Sequence, residues 1–211
     1  MKKLTFACCL LFLCGLVRAD QTNVAEDDAI QEAYNGGFDS GKNGGSGFGE
    51  WKMTNEGNDE NRHFGFYIAR TENNKDLNGA AHNEKAWGLF ANGNGFEQAV
   101  AYRALQNPLA VGDSFSFMLE NGTFEKKFET DDPAGGSVGL TLRTSDATES
   151  PADYNKDAVF EFGYYQGKPN YQIYDGAGED KTDSGVAFSD GGVSVTVTIT
   201  GEDTYDLEIR R

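Results

Sequence analysis

Hydrophobic and polar residues alternate along most of this chain from Trp51 onward, and this pattern predicts β-strands rather than helices. The apolar positions carry mainly aromatic and β-branched side chains, with polar residues or glycine between them. Because successive side chains on a strand point to opposite faces, each stripe predicts a strand with one buried face. The clearest stripes are Phe64, Phe66 and Ile68; Phe115, Phe117 and Leu119; Val138, Leu140 and Leu142; and Phe160, Phe162 and Tyr164.

Two β-hairpins are predicted where such stripes are joined by turn residues. Near the C-terminus, valine and isoleucine alternate with serine and threonine, and a GEDT turn leads into Tyr205, Leu207 and Ile209. A second hairpin is predicted to join AWGLFA to FEQAVAYRA through an Asn-Gly-Asn-Gly turn. Asparagine and glycine favour such turns because they tolerate positive φ.

About eleven or twelve strands are expected, which favours an all-β fold over any helical class. Helical spacing is confined to a turn or two near Val24 to Tyr34, and the chain contains 27 glycines and four prolines. The economical architecture is an antiparallel, two-sheet β-sandwich. We expect a signal peptide at 1–19, an acidic N-terminal segment at 20–32 and the β-sandwich domain at 33–211.

The first 19 residues have the layout of a cleavable export signal. Two lysines precede an apolar run over 4–17, and Ala19 occupies the expected cleavage position. The run is too short for a comfortable membrane span, so no transmembrane segment is predicted. We therefore expect a secreted protein, either extracellular or periplasmic.

The three cysteines exclude several kinds of chemistry. Cys8, Cys9 and Cys14 all lie in the segment that export would remove. The remaining chain then has no disulfide, no thiolate metal site and no cysteine nucleophile.

The acidic balance excludes a nucleic-acid partner. The chain carries a net charge of -16, which becomes -19 when Lys2, Lys3 and Arg18 are removed with the signal peptide. A phosphate backbone would be repelled by such a surface. The acidity is typical of soluble exported proteins, or it reflects carboxylates gathered around calcium.

Seven segments spread over nearly all of the expected mature chain carry a distinctive order of strands and glycines. They are GFGEW, HFGFYIA, WGLFANGNGFEQAVAYRAL, VGDSFSFMLENGTF, GSVGLTLRTS, VFEFGYYQGKPNYQIYDG and GVSVTVTITGEDTYDLEIRR. Together they resemble the concanavalin A-like lectin and glucanase sandwich superfamily, and more narrowly secreted bacterial modules of that shape. The resemblance implies a jelly-roll sandwich, and many such modules occur beside polysaccharide-acting enzymes.

The glucanase branch of that superfamily carries two glutamates flanking an aspartate at alternate positions, so that three carboxylates face one cleft. No E-x-D-x-x-E string occurs in this chain. The nearest acids, Glu120, Glu125 and Glu161, lack the spacing that places an acid and a nucleophile on opposite sides of one bond. This favours a protein without catalysis. The alternative is a glycoside hydrolase or polysaccharide lyase whose acids converge from separate strands, with Glu120 and Glu161 the first to test.

Aromatic and amide side chains supply the parts of a sugar-binding surface. A pyranose stacks its apolar side on a flat ring, while amides and carboxylates hydrogen-bond its hydroxyls. Tyr67, Phe90 and Tyr165 lie opposite the apolar stripes, and Trp51 and Trp87 lie at predicted strand starts. The predicted ligand-binding residues are Trp51, Tyr67, Trp87, Phe90, Asn92, Asn94, Arg103 and Tyr165. The alternative is that both tryptophans anchor the core and the tyrosines cover sheet edges.

Two acidic loops offer oxygen ligands for a cation. Asp153, Asn155 and Asp157 match the first, third and fifth positions of a calcium loop, but Ala158 replaces its glycine and Tyr164 its bidentate glutamate. The second loop contains Asp175, Glu179, Asp180 and Asp183. One structural Ca²⁺ is the cofactor that these residues suggest. The alternative is that they are solvated turn residues, since aspartate favours turns for backbone reasons.

Three functions follow from these observations. The leading interpretation is a secreted carbohydrate-binding, lectin-like or adhesive module whose partner is a glycan or polysaccharide. The second is the enzyme described above. The third is a structural or surface protein that meets another exported protein through edge strands and acidic loops.

Overall fold

The computed structural model describes residues 24–57, 63–73, 77, 80–81, 83–92, 96–121, 136–144, 158–175 and 181–211. In these residues a single 3-10 turn at Glu32–Tyr34 precedes eleven strands. The strands are β1 (Lys52–Gly57), β2 (Phe64–Arg70), β3 (Lys85–Ala91), β4 (Glu97–Tyr102), β5 (Ser114–Leu119), β6 (Ser137–Arg143), β7 (Ala158–Tyr165), β8 (Asn170–Tyr174), β9 (Thr182–Ala187), β10 (Val193–Gly201) and β11 (Thr204–Arg210).

All strand pairs in the described residues are antiparallel. The hydrogen-bonded groups are β1 with β4, β2 with β3, a three-stranded sheet β11-β10-β5 and a four-stranded sheet β6-β7-β8-β9. The predicted all-β, antiparallel sandwich class is therefore confirmed. No helix in the described parts of the chain has the length and apolar character needed to cross a membrane.

The main core lies between the three-stranded and the four-stranded sheets. Val195 and Val197 of β10 and Phe160 and Phe162 of β7 are at most 2% exposed. Tyr171 of β8 stacks on Phe162 with ring centroids 5.2 Å apart. Alternate residues of each strand build this core, as the hydrophobic stripes predict, and each buried side chain contributes about 1.5–3 kcal/mol.

The C-terminal hairpin is confirmed by the pairing of β10 with β11, in which Val197 lies opposite Leu207. The other face of this sheet is polar. There the hydroxyls of Ser116 on β5 and Thr196 on β10 lie 2.9 Å apart and share a hydrogen bond. One packed face and one polar face are typical of an antiparallel sheet at the surface of a sandwich.

The predicted hairpin between β3 and β4 is wrong. β3 pairs with β2, and β4 pairs with β1. The β2–β3 register sets Tyr67 opposite Gly88 and Phe90 opposite Gly65, so each large ring meets a residue without a side chain. A shift of one residue would turn both rings toward the other face. A turn motif permits a chain reversal, but it does not select the partner strand.

A second buried cluster is formed where residues 24–50, which are mostly irregular in backbone, meet the inner faces of β2 and β3. Tyr34 and Phe38 are 1% and 2% exposed. Phe38 packs on Phe66 and Trp87, with ring centroids 6.2 and 6.0 Å away. We call this group the buried aromatic cluster. It covers one face of the β2–β3 pair, and the opposite face points outward.

The first described residues, 24–32, belong to the predicted acidic segment, and they lie against the rest of the domain. The backbone of Glu26 pairs with that of Ser46 through two hydrogen bonds. Gly45 and Gly47 flank this bridge, and a Cβ on Gly45 would lie 1.9 Å from the Glu26 carbonyl oxygen. Only glycine permits so close an approach of two backbones.

Candidate functional site

Two aromatic rings lie on the outer face of the β2–β3 pair. Phe66 points toward the buried aromatic cluster, so its neighbour Tyr67 points the opposite way. Tyr67 is 39% exposed and Phe90 is 41% exposed. Their ring centroids are 6.1 Å apart and their planes meet at 60°. We call these two rings the aromatic surface.

Each ring of the aromatic surface is seated on a glycine of the neighbouring strand. A Cβ on Gly88 would lie 2.4 Å from the Tyr67 ring, and a Cβ on Gly65 would lie 2.8 Å from the Phe90 ring. The rings therefore fill the space that two side chains would take, and they lie low across the sheet. Rings held in place before a ligand arrives lose little conformational freedom on binding.

Sequence reasoning missed the two glycines, although a signal for them is present. Gly65 precedes Tyr67 by two residues, and Gly88 precedes Phe90 by two residues. Residues two apart share a face of a strand. When two such strands pair antiparallel, each ring can cross onto the glycine of the other strand. The repeated glycine-x-aromatic spacing thus marks the surface once the pairing is known.

The two tryptophans predicted for the same surface lie in the buried aromatic cluster. The rings of Trp51 and Trp87 are 5.4 Å apart, and Trp51 lies 5.2 Å from Phe38. The indole Nε1 of Trp51 donates a hydrogen bond to the Tyr34 hydroxyl at 3.0 Å. This placement fits the alternative interpretation, in which both tryptophans anchor the core.

Arg103 packs against the buried aromatic cluster. Its guanidinium carbon lies 4.2 Å from the Phe48 ring centroid and 4.6 Å from that of Trp51. It forms an ion pair with Asp27, and the two side chains are 6% and 2% exposed. The Tyr34 hydroxyl donates to the same carboxylate. Burial and then this bond raise the pKa of Tyr34. We call Asp27, Tyr34 and Arg103 the N-terminal clasp, because they hold the first described residues on the domain.

The remaining predicted binding residues are not gathered at the aromatic surface. Asn92 is exposed just after β3, where its backbone N–H donates to the carbonyl of His63 at 2.7 Å. Asn94 lies outside the described residues. Tyr165 lies on β7, in the four-stranded sheet, and its hydroxyl donates to Glu161. The structure therefore brings Tyr67 together with Phe90, and it places Tyr165 on a different sheet.

The two acids named for the enzyme alternative lie on elements of different sheets. Glu120 follows β5 and accepts a hydrogen bond from the backbone N–H of Ala80 at 2.8 Å. Glu161 lies on β7 and accepts from Tyr165, while the Lys181 ammonium lies 3.5 Å from the same carboxylate. Each acid thus has its own set of partners.

The predicted calcium ligands are mostly outside the described residues. The structure describes Asp175 and Asp183, and it leaves out Asp153, Asn155, Asp157, Glu179 and Asp180. Asp183 accepts hydrogen bonds from the Gly185 backbone N–H at 2.7 Å and from the Asn170 amide at 2.8 Å, and these lower its pKa. Within the described ranges, no three His, Cys, Asp or Glu side chains lie close enough to hold a metal. Calcium stays a prediction.

A shallow hollow of about 70 Å³ lies at the end of β2 and the start of β3. Its lining is polar and consists of Arg70, Thr71, Glu72, Asn83, Glu84 and Lys85. Small-molecule sites are usually larger, at about 300–1,000 Å³, and mostly apolar. The aromatic surface is therefore the stronger candidate, although it is an open face rather than a pocket.

Comparisons with protein-family models, with curated proteins and with solved structures found no match to this chain. The resemblance to the concanavalin A-like sandwiches thus stays a prediction from the sequence. Any functional interpretation has to rest on the side chains themselves.

Proposed function

We propose that this protein is a carbohydrate-binding module that holds a glycan on the aromatic surface without cleaving it. The observation that carries the proposal is the pair of exposed rings, Tyr67 and Phe90, each seated on a glycine. Exposed apolar side chains that are grouped on one face mark interaction sites more often than scattered single ones do. The C–H face of a pyranose is such a partner, because it is apolar and close to an aromatic ring in size.

The position of the aromatic surface also supports glycan binding. The rings lie on paired strands, so the backbone that carries them is fixed by the β2–β3 ladder. Asn92, at the end of β3, offers an exposed amide near the same end of the pair as Phe90. A rigid apolar base with a polar group beside it is the arrangement that binds a sugar through both its C–H face and its hydroxyls.

The proposal extends to the setting of the protein. We propose that it is secreted through the export signal at 1–19, that it is a concanavalin A-like jelly roll, and that one Ca²⁺ serves a structural role. Sequence supports each point: the apolar run after two lysines, the order of strands and glycines, and the acidic loops. The absence of an E-x-D-x-x-E string supports binding without hydrolysis.

The test is isothermal titration calorimetry with soluble β-glucan, xylan, mannan and chitosan oligosaccharides. We expect one class of glycan to bind, and we expect Tyr67→Ala and Phe90→Ala each to weaken that binding about tenfold, or about 1.4 kcal/mol. Both side chains are about 40% exposed, so each variant should lose less stability than truncation of a core ring would cost, and should stay folded at the titration temperature.

Met118→Ala is the matched control, because Met118 is 54% exposed but lies on β5 in another sheet. It should leave glycan affinity unchanged. Equal affinity of the wild type, Tyr67→Ala and Phe90→Ala for every bound glycan would refute the aromatic surface as the site. Absence of binding to the whole panel would refute glycan binding of these classes.

A further inference from the structure

A row of three side chains crosses the four-stranded sheet on the face opposite the main core. Glu161 on β7 pairs directly with Tyr174 on β8. Thr182, the first residue of β9, pairs with Ile173, so Lys181 lies beside Tyr174. Tyr165 is four residues after Glu161 and shares its face. Gly163 lies between these two and has no side chain that would separate them.

The ammonium group of Lys181 lies next to two rings and a carboxylate. Its Nζ lies 4.8 Å from the Tyr165 ring centroid and 5.6 Å from that of Tyr174. The same nitrogen lies 3.5 Å from Glu161 Oε1. The Tyr165 hydroxyl donates to Glu161, which fixes the first ring against the carboxylate. We call Glu161, Tyr165 and Tyr174 the ammonium cage.

The cage has the chemistry with which proteins recognise cationic ligands. A ring face attracts a cation within about 6 Å, and the attraction is stronger when water is excluded. The Glu161 side chain is only 14% exposed, so its charge is weakly screened. Without Lys181 the cage would carry a negative charge in a chain whose net charge is already -16. A cation is therefore the guest that it selects.

Lys181 is placed so that it can leave. Its side chain is 33% exposed, and the residue precedes β9 rather than forming part of its ladder. A ligand cation can thus take the place of the lysine without breaking a strand pairing.

We propose that Glu161, Tyr165 and Tyr174 form a binding site for alkylammonium groups, which Lys181 occupies when no ligand is bound. The site is separate from the aromatic surface, since the two lie in different sheets. It does not depend on the proposed glycan site. The shared ligand chemistry is a positively charged nitrogen bearing carbon substituents, as in a quaternary ammonium head group or an amino sugar.

The first experiment is an NMR titration of the protein and of Lys181→Ala with tetramethylammonium chloride. We expect Lys181→Ala to bind at least about tenfold more tightly than the wild type, because the competing ammonium is gone. In the wild type, the Lys181 side-chain signals should move toward those of a solvated lysine as the ligand binds. Binding that leaves those signals unchanged would place the ligand elsewhere and overturn the proposal.

Two controls separate the cage from nonspecific attraction. The double variant Lys181→Ala, Glu161→Gln should bind tetramethylammonium about tenfold more weakly than Lys181→Ala does. The neutral carbon isostere of choline should not compete with tetramethylammonium. Lys181→Gln serves as the second variant if Lys181→Ala does not fold, as judged by near-ultraviolet circular dichroism. No saturable binding of tetramethylammonium to either folded variant, or equal binding of the neutral isostere, would overturn the proposal.

Choline and glucosamine distinguish the two sources of the ligand. If choline binds the wild type more tightly than glucosamine does, this would support the site and assign it to quaternary ammonium head groups. Tighter binding of glucosamine, with none of N-acetylglucosamine, would support the site and assign it to free amino sugars. Because the cage and the aromatic surface share no residue, Tyr67→Ala should leave the affinities for choline and for glucosamine unchanged.

Discussion

Replacing Trp51 with alanine should destabilise the protein by about 3–4 kcal/mol. The indole packs edge-on against Phe38 and Trp87, at 5.2 and 5.4 Å between centroids, and its Nε1 donates to the Tyr34 hydroxyl. Truncation of a buried tryptophan costs about 3–5 kcal/mol, and the lost hydrogen bond accounts for about 1 kcal/mol of this. We take the lower part of the range because the ring is only partly buried.

Thermal unfolding measures this loss. In a domain of this size, 1 kcal/mol shifts Tm by about 2–4 °C, so we expect Trp51→Ala to lower Tm by about 6–16 °C. Trp51→Phe keeps a ring but removes the N–H, and it should cost only about 1–2 kcal/mol. At a temperature where both variants are folded, glycan affinity should match the wild type. A Trp51→Ala variant with wild-type Tm and weakened glycan binding would show that the indole contacts ligand, and would refute its place in the buried aromatic cluster.

Three further predictions concern other parts of the molecule. Asp27→Asn leaves the buried Arg103 without its counter-charge and should cost about 3–5 kcal/mol in urea unfolding; an unchanged midpoint would contradict the ion pair. Burial raises the pKa of Tyr171, so its contribution to stability is complete below about pH 10 and is lost as pH rises further. Tyr171→Phe should therefore lose less stability than the wild type between about pH 8 and about pH 11, and an equal loss would refute this. Gly88→Val should displace the Tyr67 ring and weaken glycan binding about as much as removing that ring; unchanged binding would contradict the seating of the ring on glycine.

The main core could be predicted from the sequence because its information is local. The alternation that places Phe160 and Phe162 on one face is visible in eight consecutive residues, and the same holds for Val195 and Val197. Strand partners are not encoded in this way. The β3 stripe is compatible with either β2 or β4, and its alternation does not distinguish between them, whereas the structure pairs β3 with β2.

The candidate site was predictable in part. Alternation placed Tyr67 and Phe90 on an outer face, and that placement is what the structure has. It did not decide between a surface and a core position for Trp51, and it did not locate Arg103, because these are covered by a segment with no periodic pattern of its own. The ammonium cage was not predictable as a unit, since its residues come from separate strands whose registers the sequence does not specify.

The N-terminal clasp has a consequence for how the chain is made. Asp27 and Arg103 are 76 positions apart, and translation adds about 5–20 residues each second, so about 4–15 s separate their synthesis. During that interval Asp27 cannot form its ion pair, because Arg103 has not yet been synthesised. Tyr34 and Phe38 also stay uncovered until the strands that pack on them have been synthesised. The nascent chain therefore exposes these two aromatic side chains for seconds. During this time chaperones can bind it, and a premature stop would leave an aggregation-prone fragment.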